Sequence, residues 1–353
     1  MTRFADLVGH GGVLKLLESE LESPAQAYLF VGPSNVGKAS VARRFAAALV
    51  GGEVVDAVRR AKAGSHPDLV LIAPEGRSSI TVDQARSVVA AAVRSPLEAD
   101  RKVFLFEEAS TLTDEAANAL LKTLEEPIAS TTFVLVADSE DDLPATIASR
   151  CRTIVFGRVP EADIAAGLIE FGIDSDRALE AARISGGRPG FAVALAKEPR
   201  VAAFRDTWLS VPERVTDHPG DAYRLAAEVM EATEPLLEAV KRRQESELAR
   251  DHPNGDTPKA VIERQEREIG RASDALFVTG LELLATFYRD TASAQLGAPV
   301  QNTDMEVAAF TRVTMENAVQ NASRVLDTIE ALNANQRPRL ALAALFLDLG
   351  ADA

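Results

Sequence analysis

The chain has 353 residues, of which 46% are apolar, and a formal net charge of −15. Its length accommodates two or three domains with cores of their own, and its single cysteine excludes a disulfide framework and a multi-cysteine zinc site. Because duplex affinity comes mainly from cations on phosphates, this acidic balance argues against tight, autonomous DNA binding. Met1–Glu22 has no signal-peptide core and no apolar run reaches membrane-spanning length, so we expect a cytoplasmic protein with no membrane partner.

The first motif along the chain is a predicted strand, a glycine-rich loop and a helix. The apolar run Tyr28–Val31 ends at Gly32, and Val41–Leu49 has apolar residues at helical spacing. The segment between them has the pattern of a phosphate-binding loop, in which backbone N–H groups and a lysine hold phosphate oxygens. The predicted nucleotide site consists of Gly32, Pro33, Ser34, Asn35, Val36, Gly37, Lys38, Ala39 and Ser40.

One position of this loop departs from the pattern. The residue after the lysine normally carries a hydroxyl for Mg²⁺, and here it is Ala39. Ser40 follows one residue later, about 100° around the helix, so we do not expect it to replace that hydroxyl. The sequence therefore predicts weak binding of ATP or ADP and no dedicated metal site.

Further predicted strands alternate with predicted helices. The strands are short apolar runs rich in β-branched residues, namely Leu69–Ile72, Val103–Phe106, Thr132–Ala137 and Thr153–Phe156. Helices begin at the capping box Thr81–Gln84 and at Thr113. This alternation predicts an α/β domain, a parallel sheet with helices on both faces and with ligands at the carboxyl ends of its strands.

Two carboxylates, Glu107 and Glu108, follow the third strand directly. Alone, an acidic pair after a strand is usually part of a solvated loop. Downstream of a glycine loop, we interpret the pair as the acidic motif of a nucleotide-binding sheet. His66 has no cysteine or second histidine near it, so it is predicted to be a turn residue and not a ligand.

The composition changes after Phe156, and the remainder of the chain is predicted to be helical. We expect an α/β domain over residues 1–157, a small helical lid domain over 158–204 and an all-α domain over 205–353. The long charged helices of the last domain are interrupted at Asp251–Pro258, which is predicted to be an exposed loop. Met315–Leu332 and Leu340–Leu349 are predicted to be the last two amphipathic helices.

The run Asn-Ala-Leu-Leu-Lys-Thr-Leu-Glu-Glu-Pro at Asn118–Pro127 and the triplet Ser149-Arg150-Cys151 resemble bacterial clamp loader subunits of the AAA+ class. The resemblance covers the first two domains and returns weakly at Leu332–Asn335 and in the last helix. It implies that the α/β domain is RecA-like and that the all-α domain is a collar that packs against those of other subunits of the DNA polymerase III loader. It also implies a role in loading the sliding clamp onto primed DNA, with no polymerase site in this chain.

The departures from that family are informative. Its motor subunits carry a hydroxyl residue after the loop lysine, Asp-Glu after the third strand and an arginine in the lid helix, where this chain has Ala39, Glu107 and Gly190. The motors also hold a cysteine-based zinc module, but Val50–Ser65 has no cysteine, so no zinc is expected. The combination resembles the delta-prime group of stator subunits, which implies that Arg150 acts as an arginine finger in trans, on the nucleotide of a neighbouring motor subunit. A guanidinium is always charged and matches phosphate oxygens as a fork.

The resemblance implies motor subunits and a clamp-opening subunit as partners, with the sliding clamp bound and primed DNA reached indirectly. ATPase activity of the chain itself is expected to be negligible. Two other interpretations stay open: an autonomous AAA+ ATPase, which Lys38 and Glu108 favour, and an inert scaffold that supplies no arginine. In the scaffold interpretation Arg150 is an ordinary ion-pair residue, and in every interpretation Cys151 is predicted to be a small buried residue with no redox role.

Overall fold

The computed structural model describes residues 3–4, 7–52, 54–74, 79–126, 128–197, 200–251, 259–302, 305–334 and 336–351. They form two compact units. The first comprises Met1–Gly167, Gly187–Gly190 and Gln244–Glu266, and the second comprises Leu168–Gly186, Phe191–Arg243 and Arg267–Ala353. The domain boundaries at residues 157 and 204 stay a prediction.

The first unit is built on a five-stranded parallel sheet. Its strands are β1 (Ala27–Val31), β2 (Leu69–Ile72), β3 (Lys102–Phe106), β4 (Thr131–Val136) and β5 (Arg152–Val155). Their order is β2-β3-β4-β1-β5, so β1 lies between β4 and β5. Every residue of β1, β3 and β4 is buried, as expected of parallel strands that are covered on both faces. The predicted fold class, a RecA-like α/β domain followed by helical regions, is confirmed.

The helices of this unit surround the sheet. They are α1 (Gly11–Glu20), α2 (Lys38–Gly51), α3 (Val55–Lys62), α4 (Val82–Ala92), α5 (Asp114–Glu125), α6 (Ala145–Ala148) and α7 (Glu161–Glu170), of which α7 extends into the second unit. Short 3₁₀ turns lie at Ala109–Thr111 and Glu140–Asp142. One core cluster joins α1 and α2 to one face of the sheet, and another joins α4 and α5 to the other face.

The predicted helix caps are confirmed. Thr81 accepts a hydrogen bond from the backbone N–H of Gln84, whose side-chain oxygen accepts one from the N–H of Thr81 at 3.0 Å. The hydroxyl oxygen of Thr113 accepts a hydrogen bond from the N–H of Ala116 at 3.2 Å. These bonds satisfy N–H groups that the first turn of a helix leaves without intrahelical partners, and they fix where α4 and α5 begin.

The second unit is helical in its described part. Its helices, three of which extend into the first unit at one end, are α8 (Ser175–Ile184), α9 (Pro189–Leu195), α10 (Val201–Leu209), α11 (Val211–Arg214), α12 (Pro219–Asp251), α13 (Lys259–Gln295), α14 (Met315–Asn333) and α15 (Pro338–Ala351). Nearly all of the predicted loop Asp251–Pro258, residues 252–258, lies outside the described residues. None of the helices in the described ranges combines the length and apolar composition that a bilayer span requires.

Two features determine the core of the second unit. The fully buried Trp208 packs against α13 so closely that a Cβ on Gly280 would lie 2.0 Å from its ring, and its ring centroid is 6.4 Å from that of Phe346. The buried carboxylate of Asp290 accepts hydrogen bonds from the Arg289 guanidinium and from the backbone and side-chain N–H groups of Asn302. Burial alone would raise the pKa of Asp290, but these bonds outweigh it and lower that pKa.

Candidate functional site

The glycine loop connects the carboxyl end of β1 to the start of α2. Gly32, Asn35 and Gly37 have φ of 143°, 64° and 105°, values that favour glycine or asparagine. A Cβ on Gly32 would lie 2.0 Å from the carbonyl oxygen of Phe156, so only glycine fits there. Since α2 begins at Lys38, the N-terminus of the helix directly follows the loop, which is the arrangement that binds phosphate.

The charge of Lys38 is compensated within the chain. Its side chain is 5% exposed, and Nζ donates to the carbonyl oxygens of Gly32 and Pro33 at 2.5 and 2.8 Å and to Oδ1 of Asp138 at 2.8 Å. The Ser34 hydroxyl donates to the other carboxylate oxygen, and the N–H of Gly32 donates to the backbone carbonyl of Asp138 at 3.1 Å. The carboxylate therefore engages the cation that this motif directs at phosphate.

Asp138 follows β4 by two residues, and β4 is the neighbour of β1, so their carboxyl ends meet at one edge of the sheet. The sequence interpretation missed this residue. The available signal was an aspartate immediately after the predicted strand Thr132–Ala137.

Glu107 is held by the helix that follows the loop. The Arg43 guanidinium donates from Nε to Oε1 of Glu107 at 2.5 Å and from Nη2 to Oε2 at 3.2 Å, and the glutamate side chain is 8% exposed. Arg43 lies one turn beyond Ala39 in α2, and therefore on the same face of the helix. Where a hydroxyl and an acid would together hold Mg²⁺, this chain has a methyl group and an acid bound to a guanidinium.

The other residues of the predicted nucleotide site have the following environments. Glu108 is partly exposed and begins a 3₁₀ turn, in which its carbonyl oxygen accepts a hydrogen bond from the Thr111 hydroxyl at 2.6 Å. Ser40 is half-buried in the first turn of α2. Val36 is fully buried, and its carbonyl oxygen accepts a hydrogen bond from Nε2 of His10 at 2.8 Å. Burial lowers the pKa of His10 despite this bond, so the imidazole contacts the loop as a neutral group at pH 7.

Arg150 lies between α6 and β5 and is bound away from the glycine loop. Its Nη1 donates to the carbonyl oxygen of Thr146 at 2.6 Å and to the Ser149 hydroxyl at 3.4 Å, and its Nη2 donates to the carboxylate of Glu125. The side chains of Arg150 and Glu125 are 31% and 46% exposed. The next residue, Cys151, is partly and not fully buried where it packs against the core cluster of the sheet, and burial raises the pKa of its thiol to about 12.

Gly190, at which the family resemblance implies an arginine in motor subunits, has open space where a Cβ would lie, and the nearby Arg188 is buried. His66 is a buried turn residue, as predicted, and its Nδ1 accepts a hydrogen bond from the N–H of Asp68. No group of three or more potential metal-binding side chains occurs in the described part of the chain.

The sheet, the glycine loop after its first strand and the acidic pair after its third define the class as a RecA-like, AAA+-type domain. Residues 9–160 match the family described as "DNA polymerase III, delta subunit". DNA polymerase III subunit delta' of Escherichia coli (strain K12) is 36% identical over 196 residues, which cover 51% of this chain and 57% of that protein. The resemblance to the delta-prime group of clamp loader subunits, which the sequence motifs predict, is confirmed.

Subunit tau of Bacillus subtilis (strain 168) is 35% identical over 167 residues, 44% of this chain and 29% of that protein. The chain thus spans less than two thirds of the length of either relative. A solved structure, a DNA polymerase III gamma subunit-related protein from Thermotoga maritima, has 18% identity and a TM-score of 0.42, covering 96% of this chain and 99% of that one. Subunits delta' and tau both match at similar identity.

Proposed function

We propose that the chain is a non-motor subunit, a stator, of the clamp loader of the DNA polymerase III holoenzyme. In this role it helps to load the sliding clamp onto primed DNA and supplies Arg150 as an arginine finger to a neighbouring ATPase subunit. Its partners are the motor subunits and the clamp-opening subunit, and it reaches DNA only through them. One observation carries the proposal: the charged groups of the chain's own nucleotide site are bound to one another, whereas Arg150 lies at the surface.

The contacts of Lys38 support weak nucleotide binding. A phosphate that enters the loop must share the lysine with the carboxylate of Asp138, which already binds Nζ and the Ser34 hydroxyl. Two anions around one buried cation repel each other, and this repulsion lowers affinity for ATP and ADP alike.

The contacts of Glu107 support negligible hydrolysis. A Mg²⁺ ion at this position would have to displace the Arg43 guanidinium from a bidentate pair. It would also find no hydroxyl on Ala39. Since phosphoryl transfer depends on metal ions that neutralise the developing charge, the chain lacks the means to complete the reaction alone.

The position of Arg150 supports the role in trans. Its guanidinium is partly exposed and is held by an ion pair at the surface, which is worth at most about 1 kcal/mol. Because the guanidinium is partly exposed, a phosphate of a partner subunit can reach it at little cost. An arginine finger of this kind accelerates hydrolysis by about 10³- to 10⁵-fold.

A stripe of exposed apolar residues on α14 supports the collar role. Met315, Val319 and Leu326 are 42%, 60% and 54% exposed. At about 100° per residue they lie within roughly 40° of one another, on one face of the helix. An exposed apolar face of this kind is typical of a helix that packs against a partner.

The test is reconstitution of the loader from the motor subunits, the clamp-opening subunit and this chain. Omission of the chain is expected to abolish clamp loading on primed DNA, and the isolated chain is expected to show no measurable ATPase activity. Turnover by the isolated chain on the order of 1 s⁻¹ would instead identify a motor subunit. Normal loading without the chain would exclude a role in the loader.

A further inference from the structure

The glutamate that binds Arg150 comes from the specific run that first indicated the family. Glu125 is the last residue of α5, and its carboxylate accepts the hydrogen bond from Nη2 of Arg150 across 25 residues of sequence. The macrodipole of a helix disfavours a carboxylate in its last turn, so a glutamate at position 125 does not stabilise α5. The ion pair with Arg150 is a reason for a glutamate at this position.

We infer that Glu125 is a positioning residue that orients the Arg150 guanidinium for its action on a partner's nucleotide. This inference rests on the proposed function. The guanidinium is a planar fork, and its two Nη groups are anchored by different elements. Nη1 is bound by the carbonyl oxygen of Thr146 and the hydroxyl of Ser149, next to β5, and Nη2 is bound by Glu125 of α5.

Both anchors are needed to fix the plane of the fork. With Nη1 alone bound, the guanidinium can turn about the remaining hydrogen bonds, and the long arginine side chain regains rotamer freedom. Catalysis across an interface depends on orientation, since a misplacement of about 1 Å can reduce the rate of a reaction by roughly 10²-fold. Glu125 reduces the orientational freedom of Arg150 before the partner's phosphate arrives.

The exposure of the pair is suited to this role. Glu125 is 46% exposed and Arg150 is 31% exposed, so water screens their attraction. The guanidinium has five N–H donors, so the terminal phosphate of a nucleotide can accept hydrogen bonds from it while Glu125 keeps its hydrogen bond to Nη2. Glu125 can therefore orient Arg150 while the phosphate is bound.

The experiment uses the reconstituted loader with sliding clamp, primed DNA and ATP, and compares Glu125→Gln with Glu126→Gln. Glu126 is the adjacent exposed residue, and its substitution removes the same charge from the same helix end. We expect Glu125→Gln to lower the kcat of clamp-stimulated ATP hydrolysis at the site that receives Arg150 by about two- to fivefold, with KM for ATP unchanged. Glu126→Gln should leave both parameters at the wild-type values.

A double-mutant cycle distinguishes positioning from a structural role. In the Arg150→Ala background, Glu125→Gln is expected to have no further effect on kcat, because it acts through Arg150. Equal melting temperatures of the Glu125→Gln and Glu126→Gln chains would exclude a general loss of stability. Glu125→Asp, which keeps the charge, should recover part of the lost rate.

The outcomes separate the inference from the proposed function. A normal rate for Arg150→Ala would overturn both, because there would be no finger to position. A reduced rate for Arg150→Ala together with a normal or raised rate for Glu125→Gln would overturn the positioning role alone. An effect of Glu125→Gln that persists without Arg150 would also overturn it.

Discussion

The glycine-loop region and the edge around Arg150 belong to the same unit, and each carries a cation at a position that can address phosphate. Lys38 is 5% exposed and is surrounded by two carbonyl oxygens and a carboxylate of its own chain. Arg150 is 31% exposed and forms an ion pair with Glu125, whose side chain is 46% exposed. The Asp138 side chain is 58% exposed, so Lys38 differs from Arg150 in its own burial and in its three acceptors, and not in belonging to a fully buried ion pair. A surface pair such as Arg150–Glu125 is worth at most about 1 kcal/mol, so Arg150 is the cation that a ligand can engage at the lower cost.

The largest effect is expected from removal of Arg150. In the assembled loader, Arg150→Ala should reduce hydrolysis at the one site that borrows the arginine by about 10³- to 10⁵-fold, or roughly 4–7 kcal/mol of transition-state stabilisation. Bulk clamp-stimulated ATPase activity should fall only by the share of that site and of steps that depend on it. Assembly, measured by co-elution of the subunits, should stay intact.

Two further variants make this prediction specific. Arg150→Lys should restore little activity, because an ammonium group cannot form the bidentate fork. Arg152→Ala is the matched control, since Arg152 is an exposed arginine two residues away that pairs with Glu20. If Arg150→Ala loads clamps at the wild-type rate, the chain is a scaffold and the triplet is structural.

The next largest effect is expected at the ion pair between Arg43 and Glu107. Arg43→Met should reduce the free energy of unfolding by about 1–3 kcal/mol, because it leaves the carboxylate of Glu107 without its guanidinium at 8% exposure. Glu107→Gln in the same chain should recover part of that loss. Urea denaturation of the single and double variants measures the coupling, with Arg86→Met, at an exposed helical arginine, as the control. Additive effects would contradict the proposed exchange of a metal site for an ion pair.

A smaller effect is expected at the loop. Asp138→Asn keeps an acceptor for Lys38 and the Ser34 hydroxyl but removes the negative charge, so affinity for ATP and ADP should rise on the order of tenfold. Calorimetric titration of the isolated chain measures this change, and the exposed Asp141→Asn in the same turn controls for net charge. Hydrolysis should stay negligible, because Ala39 and the Arg43–Glu107 pair are unchanged. An unaltered affinity would show that the Asp138 carboxylate does not compete with phosphate.

The sheet was accessible to sequence reasoning because its strands are buried. Leu69–Ile72 forms a strand with the predicted bounds, and the other four differ by one residue at an end or at both ends. A strand covered on both faces needs a continuous apolar run, and the chain shows such runs between helix caps and glycine turns. The glycine loop was equally visible, since positive φ at Gly32 and Gly37 requires that residue type.

The charge pairs of the site were not accessible in the same way. Asp138 is 100 residues from Lys38, Glu107 is 64 residues from Arg43, and Glu125 is 25 residues from Arg150. The Lys38–Asp138 pair joins the ends of two neighbouring strands, β1 and β4, whereas the other two pairs each involve a helix residue, so all three follow from the packing of the whole unit and not from local pattern. The local sequence identified Lys38, Glu107 and Arg150 as candidate functional residues. Their partners were identified only from the structure.

The smallest functional effect is expected at Cys151, which adjoins Arg150 but faces the core. A thiol pKa of about 12, raised by burial, lowers the thiolate fraction at pH 8 by about three orders of magnitude relative to an ordinary cysteine. The folded chain should therefore react with iodoacetamide at pH 8 at about 10⁻³ of the rate of the urea-unfolded chain, and the rate should keep rising with pH beyond 10 while the fold persists. Cys151→Ala should keep clamp-stimulated ATPase activity within about twofold of wild type, since the side chain is small and contributes packing alone. Rapid labelling of the folded chain would contradict the burial of the Cys151 thiol. A loss of activity comparable to that of Arg150→Ala would show that Cys151 contributes to the function of the triplet.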